Sequence, residues 1–320
     1  MFKIHPFRVL GALALGVCLT GCGKSGGDDA ATSTNGPVEL KMKWPVGRQL
    51  VQEMDMKDSS EFRLPKEPAP RQQEMSSGQQ YRLTVVQAEP DGGHEVELEF
   101  LRARMKMAAG GRTIWDFDSD NKAPSPSMPA AANIFGKFVG AKIRYFLDAS
   151  NNVVRLEGVE DLLNRVSAGV APQEVAPFRT MLNDGYFKQM MSQNLYLPQK
   201  PVQPGDTWPV KLEIPLGTVG SLEMNMHFTF RSWETHAERT CARLDFDGTV
   251  RSSPPKPGSI IQGMDGTLTG TSWFDPKLGI ISDNKLNEDI SMVMAMKGDG
   301  NLPLTNHMIQ TMDLHLVSVK

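Results

Sequence analysis

The sequence predicts an α+β domain, mostly antiparallel β: a large curved sheet or half-barrel with a central helical insert. Three observations predict it. Apolar residues recur at period two over most of the chain from Val38 onward. Clusters of Gly, Pro, Asn and Asp separate these runs. One central stretch switches to helical spacing, and strands with segregated helices argue for α+β.

The clearest strand has Leu222, Met224, Met226, Phe228 and Phe230 alternating with Glu223, Asn225, His227, Thr229 and Arg231. That is an antiparallel strand with one dry face and one wet face. In His94 to Met107 the apolar phase slips, from Val96, Leu98 and Phe100 to Leu101, Ala103, Met105 and Met107. A bulge near Phe100-Leu101 is predicted there. Further strands are predicted over 38–45, 48–57, 79–88, 141–148, 207–214, 239–250, 264–275, 279–287, 289–297 and 308–319. Asp91-Gly92-Gly93, Asn151-Asn152, Pro254 to Gly258 and Pro276 to Gly279 supply turns between them.

In the middle, Val159, Leu162, Leu163 and Val166 share one helix face, and Val175, Phe178, Leu182 and Tyr186 share a second. Gly185 ends or bends the second helix, and Leu197 to Gly205, with three prolines, returns the chain to the sheet. The chain therefore divides into a leader (1–21), a polar tether (22–37), an N-terminal β region (38–122), a helical insert with a β-hairpin (123–203) and a C-terminal antiparallel β region (204–320).

Composition limits the function. With 40% hydrophobic residues and a net charge of −3, the 320-residue chain has the material for a core and is not a disordered type. Lys+Arg at 34 against Asp+Glu at 37 leaves no basic surplus for a phosphate backbone, so no nucleic-acid partner is expected.

The first residues read as an address. Lys3 and Arg8 precede the apolar run Val9 to Leu19, too short for a spanning helix and suited to a secretory signal. It ends in Leu19-Thr20-Gly21-Cys22, which resembles the bacterial lipobox. That resemblance implies cleavage after Gly21, lipidation of Cys22 and a membrane partner reached through the lipid. Gly23, where an Asp would signal inner-membrane retention, makes the outer membrane, facing the periplasm, the expected location. Of three cysteines only Cys241 then remains inside the fold, so no internal disulfide is expected.

Three landmarks carry a wider resemblance: Trp115-Asp116-Phe117-Asp118-Ser119; Tyr145 to Asp148 followed by Asn152-Val153-Val154 and Gly158 to Leu163; and Leu197 to Val202 followed by Pro204-Gly205-Asp206-Thr207-Trp208. Together, over residues 38–290, they resemble a family of uncharacterised bacterial lipoproteins. The chain departs from it at Asn151-Asn152, where a glycine is more usual. The resemblance implies an exported, β-rich protein and supplies no activity and no site.

The methionines, 19 in all, are the most distinctive residues. Met54 and Met56, Met105 and Met107, Met224 and Met226, and Met292, Met294 and Met296 each stack on one strand face. They read as adaptable core filling, as the lining of a cavity for a lipid-like ligand, or as thioether ligands for Cu(I). Asp116, Asp118 and Asp120 begin like a calcium loop, but Asn121 stands where the glycine belongs and Ser127 where the bidentate Glu belongs, so a polar turn is expected. Glu95, Glu97 and Glu99 read as a solvated face. The histidines show no metal or triad spacing, and His307 and Met308 face opposite ways on a strand. No nucleophile, base and stabiliser stand together, so a non-enzymatic protein without cofactor or metal is expected. It would be a lipid-anchored binding or scaffold protein of the envelope that holds an apolar small molecule. The alternatives are a solid-cored module that docks envelope proteins, and a copper binder.

Overall fold

The computed structural model describes residues 36–65, 67–121, 134–171, 179, 183–215, 221–255, 261–295 and 303–320. Its strands are β1 (Gln49–Arg63), β2 (Arg71–Ala88), β3 (His94–Ala109), β4 (Arg112–Asp118), β5 (Lys142–Leu147), β6 (Val153–Glu157), β7 (Thr207–Pro215), β8 (Ser221–His236), β9 (Arg239–Ser252), β10 (Ile261–Asp275), β11 (Ile280–Ala295) and β12 (Pro303–Val319). They form one 12-stranded sheet in the order β6-β5-β3-β2-β1-β12-β11-β10-β9-β8-β7, with β4 paired to β3. The pairings are antiparallel throughout.

This corrects the expected class. The protein is mostly antiparallel β in one open sheet, not α+β with a central helical insert. The described α-helices are short: α1 (Val159–Ser167) has nine residues and α2 (Asp184–Met191) eight. The first helical face is real, since Val159, Leu162, Leu163 and Val166 are all buried. Of the second face, Val175, Phe178 and Leu182 lie outside the described residues, while Gly185 and Tyr186 fall in the first turn of α2, so Gly185 stands at the start of this helix and does not end it. Helical spacing marks one buried stripe but not a separate layer, and here the stripe packs onto strands of the same sheet. The central hairpin β5–β6 also joins that sheet, through β3.

Local devices match the sequence closely. Opposite β2, Gln80 pairs with Arg102 and Tyr81 with Phe100, so Leu101 is the extra residue of a bulge. Asn151 adopts φ 64°, the left-handed conformation that Asn tolerates better than most residues. Asp148 Oδ1 accepts the N–H groups of Ser150 and Asn152 to brace that turn. Gly158 (φ 88°) starts α1 where a Cβ would lie 2.7 Å from the carbonyl of Lys142. Residues 38–45 depart from expectation. Apart from the isolated pair Val38–Val202 they join no strand, although Leu40, Met42 and Trp44 alternate into the core like a strand. The Lys43 N–H donates to Gly279 O at 3.0 Å, and Asn151 Nδ2 donates to Met42 O at 3.4 Å.

The sheet curls. Helix α2 packs against both edge strands, β6 and β7, and so stands in the seam between them. At Gly185 a Cβ would meet the Pro215 ring at 2.7 Å, so the helix sits tight on the end of β7. On the inner face of β9 and β10, Cβ atoms at Gly248, Gly266 and Gly270 would lie 2.3–2.4 Å from carbonyl oxygens of neighbouring strands. Glycine at such points lets strands bend and approach where a side chain would hold them apart. Most buried apolar residues, from Leu50 on β1 to Leu212 on β7, join one core on the inner face.

Candidate functional site

The inner face is built by period-two alternation, so register alone fixes which side chains meet. One row crosses nearly the whole sheet. From β4 to β7 it runs Trp115, Met107, Met75, Asp58, Gln310, Glu288, Leu268, Gly248, Met226 and Val210. Trp115 with Met107 and Met75 occupies one end, and Leu268, Gly248, Met226 and Val210 occupy the other. Three polar side chains occupy the middle.

Those three are buried. Asp58 is 5% exposed, Gln310 1% and Glu288 2%; Asn306, on the same face of β12, is 2% exposed. Ser60 donates to Asp58 Oδ1 at 2.8 Å. Among the described residues, the other Asp58 oxygen, both Glu288 oxygens and both amide atoms of Gln310 and Asn306 have no hydrogen-bond partner. Burial alone pushes the Glu288 carboxyl up to about 7. Burial also pushes Asp58 up, to about 6, against the opposing Ser60 hydrogen bond. An unmet buried polar atom costs about 1–3 kcal/mol, so a cluster of them is an expense the fold alone does not explain.

The structure divides the methionines singled out from sequence. Met56, Met105 and Met107 meet in one apolar cluster with Met75 and Trp115, against Ile114, Phe117 and Phe135. Met54, Met224 and Met226 lie in the main core, and Met292 packs against it. Met294 is half-buried near the end of β11, and Met296 lies outside the described residues. The polar row runs between the two clusters. Cys22 and Gly21 also lie outside the described residues.

Sequence reasoning missed Asp58, Gln310, Glu288 and Asn306. The signal was present: in Leu286, Glu288, Ile290 and Met292 a carboxylate occupies an inward phase, and Asn306, Met308, Gln310 and Met312 repeat the pattern. Only the register shows that these departures are neighbours across three strands.

Other candidates resolve as structure. The Asp116–Asn121 turn is occupied by Arg102, whose guanidinium lies 2.5 Å from Asp118 and 3.0 Å from Asp120. Glu95, Glu97 and Glu99 pair with Arg144, Lys142 and Arg82 at 3.2, 2.6 and 3.1 Å. His307 turns outward to Asp289 at 2.8 Å while Met308 and Met312 are buried, so no His–Met cluster forms there. Cys241 is buried, and burial pushes its thiol up to about 11, which leaves it protonated and inert. Among the described residues no group of three or more His, Cys, Asp or Glu side chains could hold a metal ion. No helix among them is long and apolar enough to cross a membrane.

A family model, described as a family of unknown function, DUF6263, matches residues 91–281, a span that contains all three landmarks. No curated protein matches the sequence. Among solved structures, a lipovitellin structure concerned with lipid–protein interactions is similar over 87% of the chain at 10% identity, TM-score 0.46; the chain spans 26% of it. A protein described as exported, with a YmcC-like fold, from Bacteroides fragilis is 12% identical over 88% of the chain and 100% of its own, TM-score 0.30. A protein described as a lipoprotein, from Parabacteroides distasonis, is 14% identical over 89% and 100%, TM-score 0.29.

Proposed function

We propose a function for this chain, which belongs to DUF6263, a family of unknown function: it is a lipid-anchored, non-enzymatic protein of the bacterial cell envelope that holds an apolar molecule against the inner face of its sheet. The location rests on the leader and on Gly21-Cys22, with the outer membrane, facing the periplasm, as the finer assignment. The activity rests on one observation. Buried polar atoms without partners among the described residues stand between two apolar clusters that both carry methionines, on one wall. A filled core gains nothing from such groups, whereas a ligand wall needs a few placed polar atoms within an apolar lining. Flexible methionines suit a wall that must fit a chain of variable shape.

The test is native mass spectrometry of the mature chain released from envelopes, with organic extraction of the same sample. A co-purifying mass of lipid size is expected. A clean protein mass with an empty extract would overturn the binding reading in favour of a solid-cored module that docks envelope proteins.

A further inference from the structure

The quartet on the wall also bears on the polar end of the ligand. Its unmet hydrogen-bonding capacity is lopsided. With both acids ionised, as a bound cation would hold them, Asp58 Oδ2, the two Glu288 oxygens, Gln310 Oε1 and Asn306 Oδ1 can only accept, and against them stand two donors, the amide nitrogens of Gln310 and Asn306. Gln310 sits directly opposite both acids, Asp58 on one side and Glu288 on the other. The inward neighbours on the adjoining strands are Met75, Ser77, Leu268, Ile290, Met308 and Met312, and none carries positive charge. Two carboxyls are thus buried with no cation facing them among the described residues.

Each class of head group can be weighed against that inventory. A carboxylate or phosphate would meet like charge and an excess of acceptors. A hydroxyl donates once and leaves most acceptors unmet. A primary ammonium donates three N–H groups and brings the missing charge. We infer that the wall takes an amphiphile whose polar end is a primary ammonium group, bound by Glu288 and Asp58 with Gln310 between them, its alkyl chain lying along the flanking methionines; the inference rests on the binding reading above. Burial holds both acids toward their protonated form while no cation faces them, which fits a site whose cation arrives with the ligand.

The experiment uses the whole mature chain, carrying Cys22→Ser behind a conventional secretory leader so that it is released in soluble form. Calorimetric titration compares dodecylammonium chloride, dodecanol and sodium dodecanoate, which share one chain and differ in the head. Dodecylammonium is expected to bind about tenfold or more tightly than the other two, a difference of about 1.4 kcal/mol. Glu288→Gln and Asp58→Asn should each reduce it toward the affinity of dodecanol while leaving dodecanol binding in place. Equal binding of the three probes, or a preference for dodecanoate, would overturn the head-group assignment while the apolar wall stands. Binding of none would remove the wall and the head-group assignment together. The comparison of probes on the unaltered site decides the matter even where a variant fails to fold.

Discussion

Arg104 on β3 places a guanidinium nitrogen 2.5 Å from Asp55 Oδ1 on β1, across the full width of β2. The same nitrogen lies 2.6 Å from Glu53. The crossing is possible because Gly78 lies between them in register, and a Cβ there would sit 2.1 Å from Arg104 Nε. The pairs are partly exposed, so their net worth is modest, about 0–1 kcal/mol. Gly78→Val should displace the arginine, so Gly78→Val and Arg104→Ala should be non-additive by about 0.5–1 kcal/mol in a urea-unfolding double-mutant cycle. Strictly additive costs would show that the arginine does not depend on the gap at Gly78.

The curvature glycines give a larger effect. A Cβ at Gly270 would lie 2.3 Å from the carbonyl of Lys285 and 2.3 Å from the Phe246 ring, and the carbonyl belongs to a paired strand. Gly270→Ala should cost about 1–3 kcal/mol in urea unfolding. Gly263→Ala, with nothing within 4 Å, should stay within about 0.5 kcal/mol of the native chain. Equal costs at the two positions would contradict the close approach of β10 to β11.

Glu288 and Asp58 set a pH dependence with a definite sign. Both carboxyls have folded values raised above their ordinary ones, to about 7 and about 6. The folded chain therefore keeps protons that the unfolded chain has already released. The contribution of Glu288 is fully present below the ordinary value of 4.5, declines as pH rises and is gone above about 7. In the ligand-free chain, Glu288→Gln should flatten this decline, gaining on the native chain by on the order of 3 kcal/mol across that window. Melting curves at a series of pH values measure it, and parallel curves for the two proteins would mean that Glu288 is not desolvated as described.

The address can be tested separately from the site. Cys22→Ser should move the protein from the membrane fraction to the soluble fraction and abolish labelling by a palmitate analogue. Continued membrane association with lipid label would show that another residue carries the anchor.

Much of the sheet was legible because alternation is local. The inward phase of β8, from Leu222 to Phe230, and the bulge at Leu101 follow from residues adjacent in sequence. Two features were not legible, for different reasons. The amphipathic stripe of α1 has the same pattern whether a helix belongs to a separate layer or lies on a sheet, so it suggested an insert that the structure lacks. The polar quartet depends on pairing between β1 and β12, whose partners Asp58 and Gln310 are far apart in sequence. Single inward polar residues look like noise until that register is known. Residues 38–45 misled in another way, because Leu40, Met42 and Trp44 show strand-like burial without strand pairing.

The central position of the β1–β12 pair dictates an order of events during folding. The first and last described strands of the sheet are mutual neighbours, so a chain folding from its N-terminal side presents β1 with one edge bare until β12 has paired. Loop closure from β1 to β12 must precede that pairing, and contacts so distant in sequence form slowly. The early half, β1 to β6, can assemble as a local meander but leaves an open strand edge, the kind of surface that templates aggregation. Truncations that remove β12 should therefore accumulate as aggregates, whereas loss of β7, at the far edge of the sheet, leaves the β1–β12 junction intact.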